Sequence, residues 1–428
     1  MSLTNCTLSL LGIKDKNIVL TDEITEMKKN GVLYKVLHGK LSYIPSSCSK
    51  CGCSNVDHHI IKYGTKTTYV RLLPCNGQPT ILQLKKQRFF CKECKETFTA
   101  TTTIVLPYCN IGTHIKRKIL LDSRLKISEK DIARQNGVSD HTVHRMINSC
   151  FEQFTPCYHY LPKHLCFDEF QSTRDCKGAM SFVFVDADTS RIIDIVENRQ
   201  LPFLKRYFSR YSKAARQSVK TICIDMYKPY ITLIKEMFPK AKIIIDRFHM
   251  VQLVTRAFNK TRISTMKKLP RYQMEYKRLK RYWKIFLKSQ EDLDGVHFQR
   301  QVHFSKWISQ RDLVEQSLNV NGTLMNTYSC YQDLLYAMKK KDFSLFTMKL
   351  HDWKKKEISK EMRVAITTLI NYEDYIKNAM TYEYTNGVIE GINNYIKVIK
   401  RLAFGFRSFY YFRNRILICR SRVTIKKD

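Results

Sequence analysis

The sequence predicts an α/β protein. A mixed sheet of order βββαβαβ is followed by a helix, a largely helical segment is inserted before that helix, and a small four-cysteine module and three short helices precede the sheet. Three observations predict it. Between Tyr160 and Val251, apolar runs of strand length alternate with stretches of helical period. Two Cys-x-x-Cys pairs stand upstream, Cys48 with Cys51 and Cys91 with Cys94. The 428 residues carry 74 Lys and Arg against 38 Asp and Glu, a formal net charge of +36.

That charge narrows the choice of partner. Solubility is met by a balance far nearer zero, so a surplus of this size calls for a polyanion, of which nucleic acid is the commonest. A hydrophobic content of 44% suffices for real cores, and the length allows two to four domains. No run approaches the ~18 apolar residues of a membrane span, and the start, MSLTNCTLSLLGIKDK, has no basic segment ahead of its short apolar patch. Fifteen cysteines, scattered apart from one cluster, fit a reducing compartment better than a disulfide framework. A soluble cytoplasmic protein without a membrane partner is expected.

Residues 1–40 read as a lead-in, helical in character and without chemistry. Residues 41–100 form the cysteine module. Two knuckles supply four thiolates, Cys48, Cys51, Cys91 and Cys94, which suits one tetrahedral zinc with Zn–S bonds of about 2.3 Å. The gap between the pairs is long for a compact ribbon. However, Thr67–Leu73 and Thr80–Phe90 alternate like strands around Asn76-Gly77-Gln78-Pro79, so a hairpin can bring the knuckles together. Cys53, His58 and His59 are alternative ligands, and four reduced core cysteines are the competing reading. A thioredoxin-like role lacks the βαβ pattern it needs. The zinc is expected to fold the module rather than to catalyse. Lys85, Lys86 and Arg88 offer phosphate contacts.

Residues 101–155 predict three short helices, His114–Ser123, Ser128–Asn136 and His141–Cys150. Ser128 caps the second, with Asp131 three residues on, and Ser139 or Asp140 caps the third. Ala133, Gly137 and Val143 stand where a helix-turn-helix needs a small residue, a turn glycine and a core aliphatic. The third helix then offers Asp140, His141, Thr142, His144 and Arg145 to a major groove. An ordinary three-helix connector is the alternative.

Residues 160–255 hold the sheet. Leu165–Phe170 is a short apolar strand ending in carboxylates, Ala179–Ala187 and Arg191–Val196 follow around an Asp188-Thr189-Ser190 turn, and Leu201–Tyr211 has one apolar helical face. Val219–Asp225 is a fourth strand, Ile231–Phe238 a helix and Ile243–Asp246 a fifth strand. The first three are close enough to pair antiparallel, and the later two, alternating with helices, should be parallel. This is the element order of the ribonuclease H fold.

Residues 256–384 read as a helical basic insertion. Between Lys260 and Gln290 stand eleven Lys or Arg and one acid, Glu275, interleaved with Tyr272, Tyr276, Tyr282, Trp283 and Phe286. Either this is a solvated face with aromatics packed behind it, or it clamps DNA through long basic side chains. Trp307 and Trp353 are expected in the core of the insertion. In the last segment, 385–428, Glu390, Asn394, Lys397 and Arg401 share one helical face, and Ile392, Ile396, Ile399 and Ala403 the other. Gly405 ends the helix before an aromatic block from Phe404 to Phe412.

The acids suggest chemistry. Cleaving a phosphodiester needs an activated attacking oxygen and a stabilised leaving oxygen. Two Mg²⁺ or Mn²⁺ ions about 3.5–4 Å apart do both on carboxylate ligands. Asp168, Asp225 and Glu390 could converge on such a site. Glu169 points to the opposite face of its strand from Asp168, and Asp246, which also ends a strand, is the rival of Asp225.

Taken together, several stretches resemble the bacterial insertion-sequence transposases of the ISL-three family, of the DDE type. These are Cys48-x-x-Cys51-Gly52 with Arg88-Phe-Phe-Cys91-x-x-Cys94; Phe167-Asp168-Glu169-Phe170; Asp225-Met226 followed by Tyr230; Phe238-Pro239-x-Ala241 leading to Asp246-Arg247-Phe248-His249; and Asn386-x-x-Ile389-Glu390-Gly391-x-Asn393. Lys397, Lys400-Arg401 and Ala403-x-Gly405-Phe406 complete the set. The resemblance covers nearly the whole chain, the insertion least well. It implies a zinc-binding domain, a helix-turn-helix and a ribonuclease H-like core interrupted before its glutamate, with Asp168, Asp225 and Glu390 as the metal-binding triad. It further implies recognition of terminal inverted repeats, cut-and-paste movement into target DNA and a bacterial, nucleoid-associated setting. Synapsis of two ends implies a homo-oligomer on DNA. Lys397, Lys400 and Arg401 are then expected at phosphates. The competing functions are a DNA-binding regulator derived from a transposase and a ribonuclease H-like nuclease without strand transfer.

Overall fold

A computed structural model describes residues 3–29, 31–152 and 156–420. Its contacts divide into two units, Met1–Thr155 with Ile396–Asp428, and Pro156–Tyr395.

The first unit is built on strands β1 (Ile18–Lys29), β2 (Val32–Leu41), β3 (Ile60–Cys75), β4 (Gln78–Cys91) and β5 (Thr97–Thr99), in the order β1-β2-β4-β3 with β5 on β4. The pairs are antiparallel except β2 with β4. Asn76 and Gly77 adopt φ of 51° and 75°, which is what a two-residue turn with the twist of its strands requires. That turn folds β3 onto β4 and pairs Ile60 with Cys91. Ile18, Leu41, Val70, Leu82, Leu84 and Phe89 form the core beneath the sheet. The helical lead-in expected over 1–40 is confined to Leu3–Leu10, and the rest of it is the β1–β2 hairpin. Its alternation is masked because β1 exposes Asp22, Glu23, Glu26, Lys28 and Lys29.

Three helices follow, Thr113–Asp122, Glu129–Gln135 and Asp140–Glu152. The Ser128 hydroxyl accepts the Asp131 N–H at 3.1 Å, and that of Ser139 accepts the Thr142 N–H at 3.3 Å, each meeting a donor that a helix start leaves unpaired. Gly137 turns between them at φ 62°. Ile115, Ile119, Ile132, Val143 and Ile147 pack with Tyr411 and Ile418 of the helix Phe409–Arg420. Arg415, 4% exposed, donates to the carbonyls of Ser123, Leu125 and Ile127. The basic tail past residue 420 lies outside the described residues.

The second unit holds β6 (His164–Gln171), β7 (Met180–Asp186), β8 (Ile192–Val196), β9 (Thr221–Ile224) and β10 (Lys242–Ile245), in the order β10-β9-β6-β7-β8. β6, β7 and β8 pair antiparallel, whereas β9 runs parallel to β6 and β10 parallel to β9. Helices Leu201–Phe208 and Lys228–Met237 pack on one face around the rings of Phe167, Phe182, Phe184, Phe208 and Phe238. From β10 the chain passes Asp246 into the helix Arg247–Lys268. That helix carries the core into the helical segment, where Phe258 stacks on Tyr331 with ring centres 5.1 Å apart. Trp353 is buried there and donates its indole N–H to Asp333 at 2.8 Å. Trp307, expected in the same core, is 68% exposed; in the two-residue strand Trp307–Ile308 only Ile308 turns inward. Within the basic stretch Tyr282 and Phe286 are buried and Tyr272 is exposed.

The helix Gly387–Leu402 buries Ile389, Ile392, Ile396 and Ile399 and exposes Glu390, Asn394, Lys397 and Arg401, as its period predicts. It stops at Leu402, so Ala403 falls outside the apolar stripe and is exposed. No helix among the described residues is long and apolar enough to cross a membrane.

Candidate functional site

Two neighbouring parallel strands assemble the acids. Cys166 of β6 is paired with Cys223 of β9. Two residues further on stand Asp168, still within β6 and on the face of Cys166 because side chains alternate with period two, and Asp225, the first residue past the end of β9. Burial raises the carboxyl of Asp168 to about 7, with the Asp225 charge as the next cause. Burial also raises Asp225 to about 7, against the pull of its hydrogen bond from Asn386. Asp246, 5% exposed, is raised by burial as well.

Helix Gly387–Leu402 and the residue just before it tie these acids down. Asn393 Nδ2 donates to Asp168 Oδ2 at 2.6 Å, while Asp168 Oδ1 accepts the Glu169 N–H at 2.7 Å. Asn386 Nδ2 donates to Asp225 Oδ1 at 3.1 Å, and its backbone N–H reaches Asp246 Oδ1 at 3.4 Å. His249 Nε2 lies 3.0 Å from the same Asp225 oxygen. One ligand atom each from Asp225, Asp246 and His249 falls within 4.8 Å of the others, a grouping able to hold a metal ion.

Glu169 has a different fate. It faces the other side of the strand, where Tyr230 donates to Oε2 at 2.7 Å and Arg199 pairs with Oε1. Its charge is spent on permanent partners. Glu390 is exposed, and its carboxylate makes no hydrogen bond or ion pair among the described residues. It lies between Asn386 and Asn393 at four- and three-residue spacing, hence on the helix face that touches Asp225 and Asp168. The structure thus gathers Asp168, Asp225 and Asp246, and it holds the Glu390 backbone on the facing helix without joining its carboxylate to them. Asn386, Asn393, His249 and Tyr230 stand in the motifs quoted above without a role assigned to them. The spacing of the two asparagines around Glu390 was the available signal.

The thiols meet where β3 begins and β4 ends. Cys48 Sγ is 3.8 Å from Cys94 Sγ, and Cys51 Sγ is 3.8 Å from Cys91 Sγ. Four sulfurs around a tetrahedral zinc with ~2.3 Å bonds are about 3.8 Å apart, so these separations fit one ion. Cys53, 3.3 Å from Cys91, is closer than two ligands of one ion sit. Even so, Cys48, Cys51, Cys53 and Cys91 lie within 4.8 Å of one another, so Cys53 keeps its place as the alternative. The Cys94 N–H leads in pulling Cys91 down to about 6, and the Cys53 N–H lowers Cys51. The Cys91 thiol drives Cys53 up to about 12. His59 turns to Glu93 at 2.9 Å.

Of the residues expected at DNA, His141, His144 and Arg145 are exposed on the third helix. Thr142 is buried, with its hydroxyl 3.0 Å from that of Ser139. His144 stacks on Tyr411 at 3.9 Å and lies 3.6 Å from Glu129. Lys397 and Arg401 are exposed and Lys400 is half-buried.

Comparison with known proteins adds two family matches. The model of the ISL-three transposases, described as a transposase, matches residues 165–416. That of the zinc-finger of transposases IS204/IS1001/IS1096/IS1165 matches residues 44–94. The chain is 38% identical over 111 residues to a Lactococcus lactis subsp. lactis protein named ATP-dependent protease, a stretch covering 26% of this chain and 35% of that one. It is 22% identical over 376 residues to the transposase for insertion sequence element IS1001 of Bordetella parapertussis, covering 85% of this chain and 86% of that one. The chain therefore spans about a third of the first relative and most of the second.

Proposed function

Since the chain belongs to the ISL-three transposase family, we propose that it binds the terminal inverted repeats of an insertion sequence, cleaves DNA at the element ends and joins the freed 3′-hydroxyls to target DNA. The observation that carries this reading is the closeness of Asp168 and Asp225, each two residues beyond the Cys166–Cys223 pair of β6 and β9, with the Asp225 charge helping to raise Asp168 and both carboxyls raised to about 7. Buried acids crowded this way are poised to give up their protons to a divalent cation. The strand order, with three antiparallel strands and two parallel ones, supports a ribonuclease H-like core.

Asp168, Asp225 and Glu390 would hold two Mg²⁺ or Mn²⁺ ions, with Asp246 in reserve. When bound, such ions activate the attacking oxygen and stabilise the leaving one. The protein's own part is to fix and shield the ligands. Asn386 and Asn393 fix the two aspartates, and burial keeps bulk water from screening them. Cys48, Cys51, Cys91 and Cys94 would hold one structural zinc. The Ser128 and Ser139 caps and the Gly137 turn support a helix-turn-helix. In it His141 and Arg145 face the groove, Thr142 secures the cap, and His144 braces the helix against Tyr411. Lys397, Lys400 and Arg401 would meet phosphates. Bringing two element ends together calls for more than one copy of the chain.

Asp168→Asn should abolish cleavage of an oligonucleotide carrying the element end while leaving its binding near that of the wild type. Cleavage at the wild-type rate would refute the assignment. One observation favours a second reading, a DNA-binding regulator derived from a transposase: the Glu390 carboxylate is exposed and joins neither aspartate. Nicking of an end oligonucleotide with Mg²⁺ separates the two.

A further inference from the structure

We propose that Asn386 and Asn393 are metal-responsive ligands, whose amides give N–H to the aspartates when no cation is bound and turn their carbonyl oxygens to the cation when one is. The inference rests on the reading of Asp168 and Asp225 as cation ligands and adds two residues to that site.

The amide oxygens carry the argument. Five buried side-chain N or O atoms among the described residues lack a hydrogen-bond partner, and two of them are Asn386 Oδ1 and Asn393 Oδ1. Asn386 is 5% exposed. A buried polar atom left unpaired costs about 1–3 kcal/mol. Two such atoms seven residues apart, one just before the helix Gly387–Leu402 and one within it, both beside the acids, indicate a site missing a partner. The other end of each amide is engaged, with Asn386 Nδ2 3.1 Å from Asp225 Oδ1 and Asn393 Nδ2 2.6 Å from Asp168 Oδ2.

Rotating an amide by half a turn exchanges its nitrogen and oxygen. Without a cation that rotation would press a carbonyl oxygen against a carboxylate, so the N–H end faces the acid. With a cation beside the carboxylate the preference reverses, because the ion attracts both oxygens. Separation agrees with this. Neighbouring oxygens around an octahedral Mg²⁺ with bonds of 2.0–2.1 Å are about 2.9 Å apart, and the observed 2.6 and 3.1 Å bracket that value. The amide nitrogens therefore occupy positions suited to ligand oxygens. Neutral oxygen donors also favour a hard cation over zinc, which the thiols select.

The test is Mn²⁺ binding to the zinc-loaded full chain, followed by electron paramagnetic resonance, together with melting temperatures with and without Mn²⁺. Asp168→Asn serves as the control. Asn386→Ala and Asn393→Ala, which remove the oxygen, should each weaken binding about tenfold. Asn386→Asp and Asn393→Asp keep an oxygen but lose the N–H. They should bind Mn²⁺ at least as tightly as the wild type, melt lower without metal and regain the difference with it. Alanine variants that titrate like the wild type would overturn the proposal, as would aspartate variants that lose Mn²⁺ to the same extent as the alanine ones. If the wild type shows no Mn²⁺ site that Asp168→Asn removes, the reading of the acids fails first. If it does, and the asparagine variants leave it unmoved, only this inference fails.

Discussion

The thiol cluster and the carboxylate cluster both gather groups that repel when ionised, yet they are assembled in opposite ways. The five thiols come from one loop and one turn at the same end of a hairpin, and two sulfur pairs already stand at the 3.8 Å of a four-ligand ion. The carboxylates come from one strand and the ends of two others, with amides and an imidazole between them. In general a structural zinc is closed in by four ligands, whereas a catalytic metal keeps a position open. On the reading proposed above, the thiols would draw their stability from a bound metal and the acids theirs from the surrounding chain.

The comparison breaks first if zinc removal is harmless. Stripping zinc, or replacing Cys91 with Ser, should unfold the hairpin module, since structural zinc contributes on the order of 10 kcal/mol to small domains. Limited proteolysis within residues 41–100 would report it, and a module equally resistant without zinc would contradict the closed-site reading. Next in size, Asp225→Asn should lower end cleavage by about 10³-fold, corresponding to roughly 4 kcal/mol of transition-state stabilisation. The same variant should fold at least as well as the wild type in the absence of divalent metal.

Acidity provides the third test. Asp168 and Asp225 sit near 7 in the folded chain, above the roughly 3.9 of an unfolded aspartate. Between those values the folded state holds protons that the unfolded state has lost. Metal-free stability is therefore highest at the acid end of this window and drains as pH rises through about 7, at up to roughly 1.4 kcal/mol per pH unit per carboxyl. Thermal melts of zinc-loaded protein from pH 5 to 8 should fall accordingly. Mg²⁺ should recover stability at pH 8 and do little at pH 5. A flat profile would mean that the acids are not crowded.

Legibility differed between the clusters for a physical reason. Four thiols in two Cys-x-x-Cys pairs are local in sequence, so ligand chemistry and spacing alone pointed to Cys48, Cys51, Cys91 and Cys94. Asp168 and Asp225 were legible because each ends an apolar run, and strand period separates Asp168 from Glu169. Nothing local reveals that Arg199 and Tyr230 consume Glu169, or that Asn386 and Asn393 hold the other two acids, because those partners lie 30 to 225 residues away. The β1–β2 hairpin was missed because charged side chains line its exposed face, and Trp307 because residue type alone suggests burial. Thr142 shares a short helix with exposed neighbours, and only its link to Ser139 reveals the inward turn.

Two smaller effects sharpen the comparison. Tyr230→Phe removes one donor to the Glu169 carboxylate and should cost about 1–3 kcal/mol of stability. Mn²⁺ binding should stay within a factor of about two, a change of roughly 0.4 kcal/mol, because Glu169 faces away from Asp168 toward Tyr230 and Arg199. A variant that lost Mn²⁺ would instead place Glu169 in the metal site.

Cys53→Ser should have the smallest effect. At 3.3 Å from Cys91 its sulfur is too close to share one tetrahedral ion with it. The pairs Cys48–Cys94 and Cys51–Cys91 have the right separation. Serine keeps the size and a hydrogen-bonding group, so zinc content should stay at one per chain and the melting temperature should shift by no more than about 2 °C. Cys94→Ser, by contrast, should release the metal. Zinc measured with a chromophoric chelator on both variants decides the matter. If Cys94→Ser retains zinc and Cys53→Ser loses it, the ion takes its fourth sulfur from the first loop, and the second knuckle contributes only Cys91.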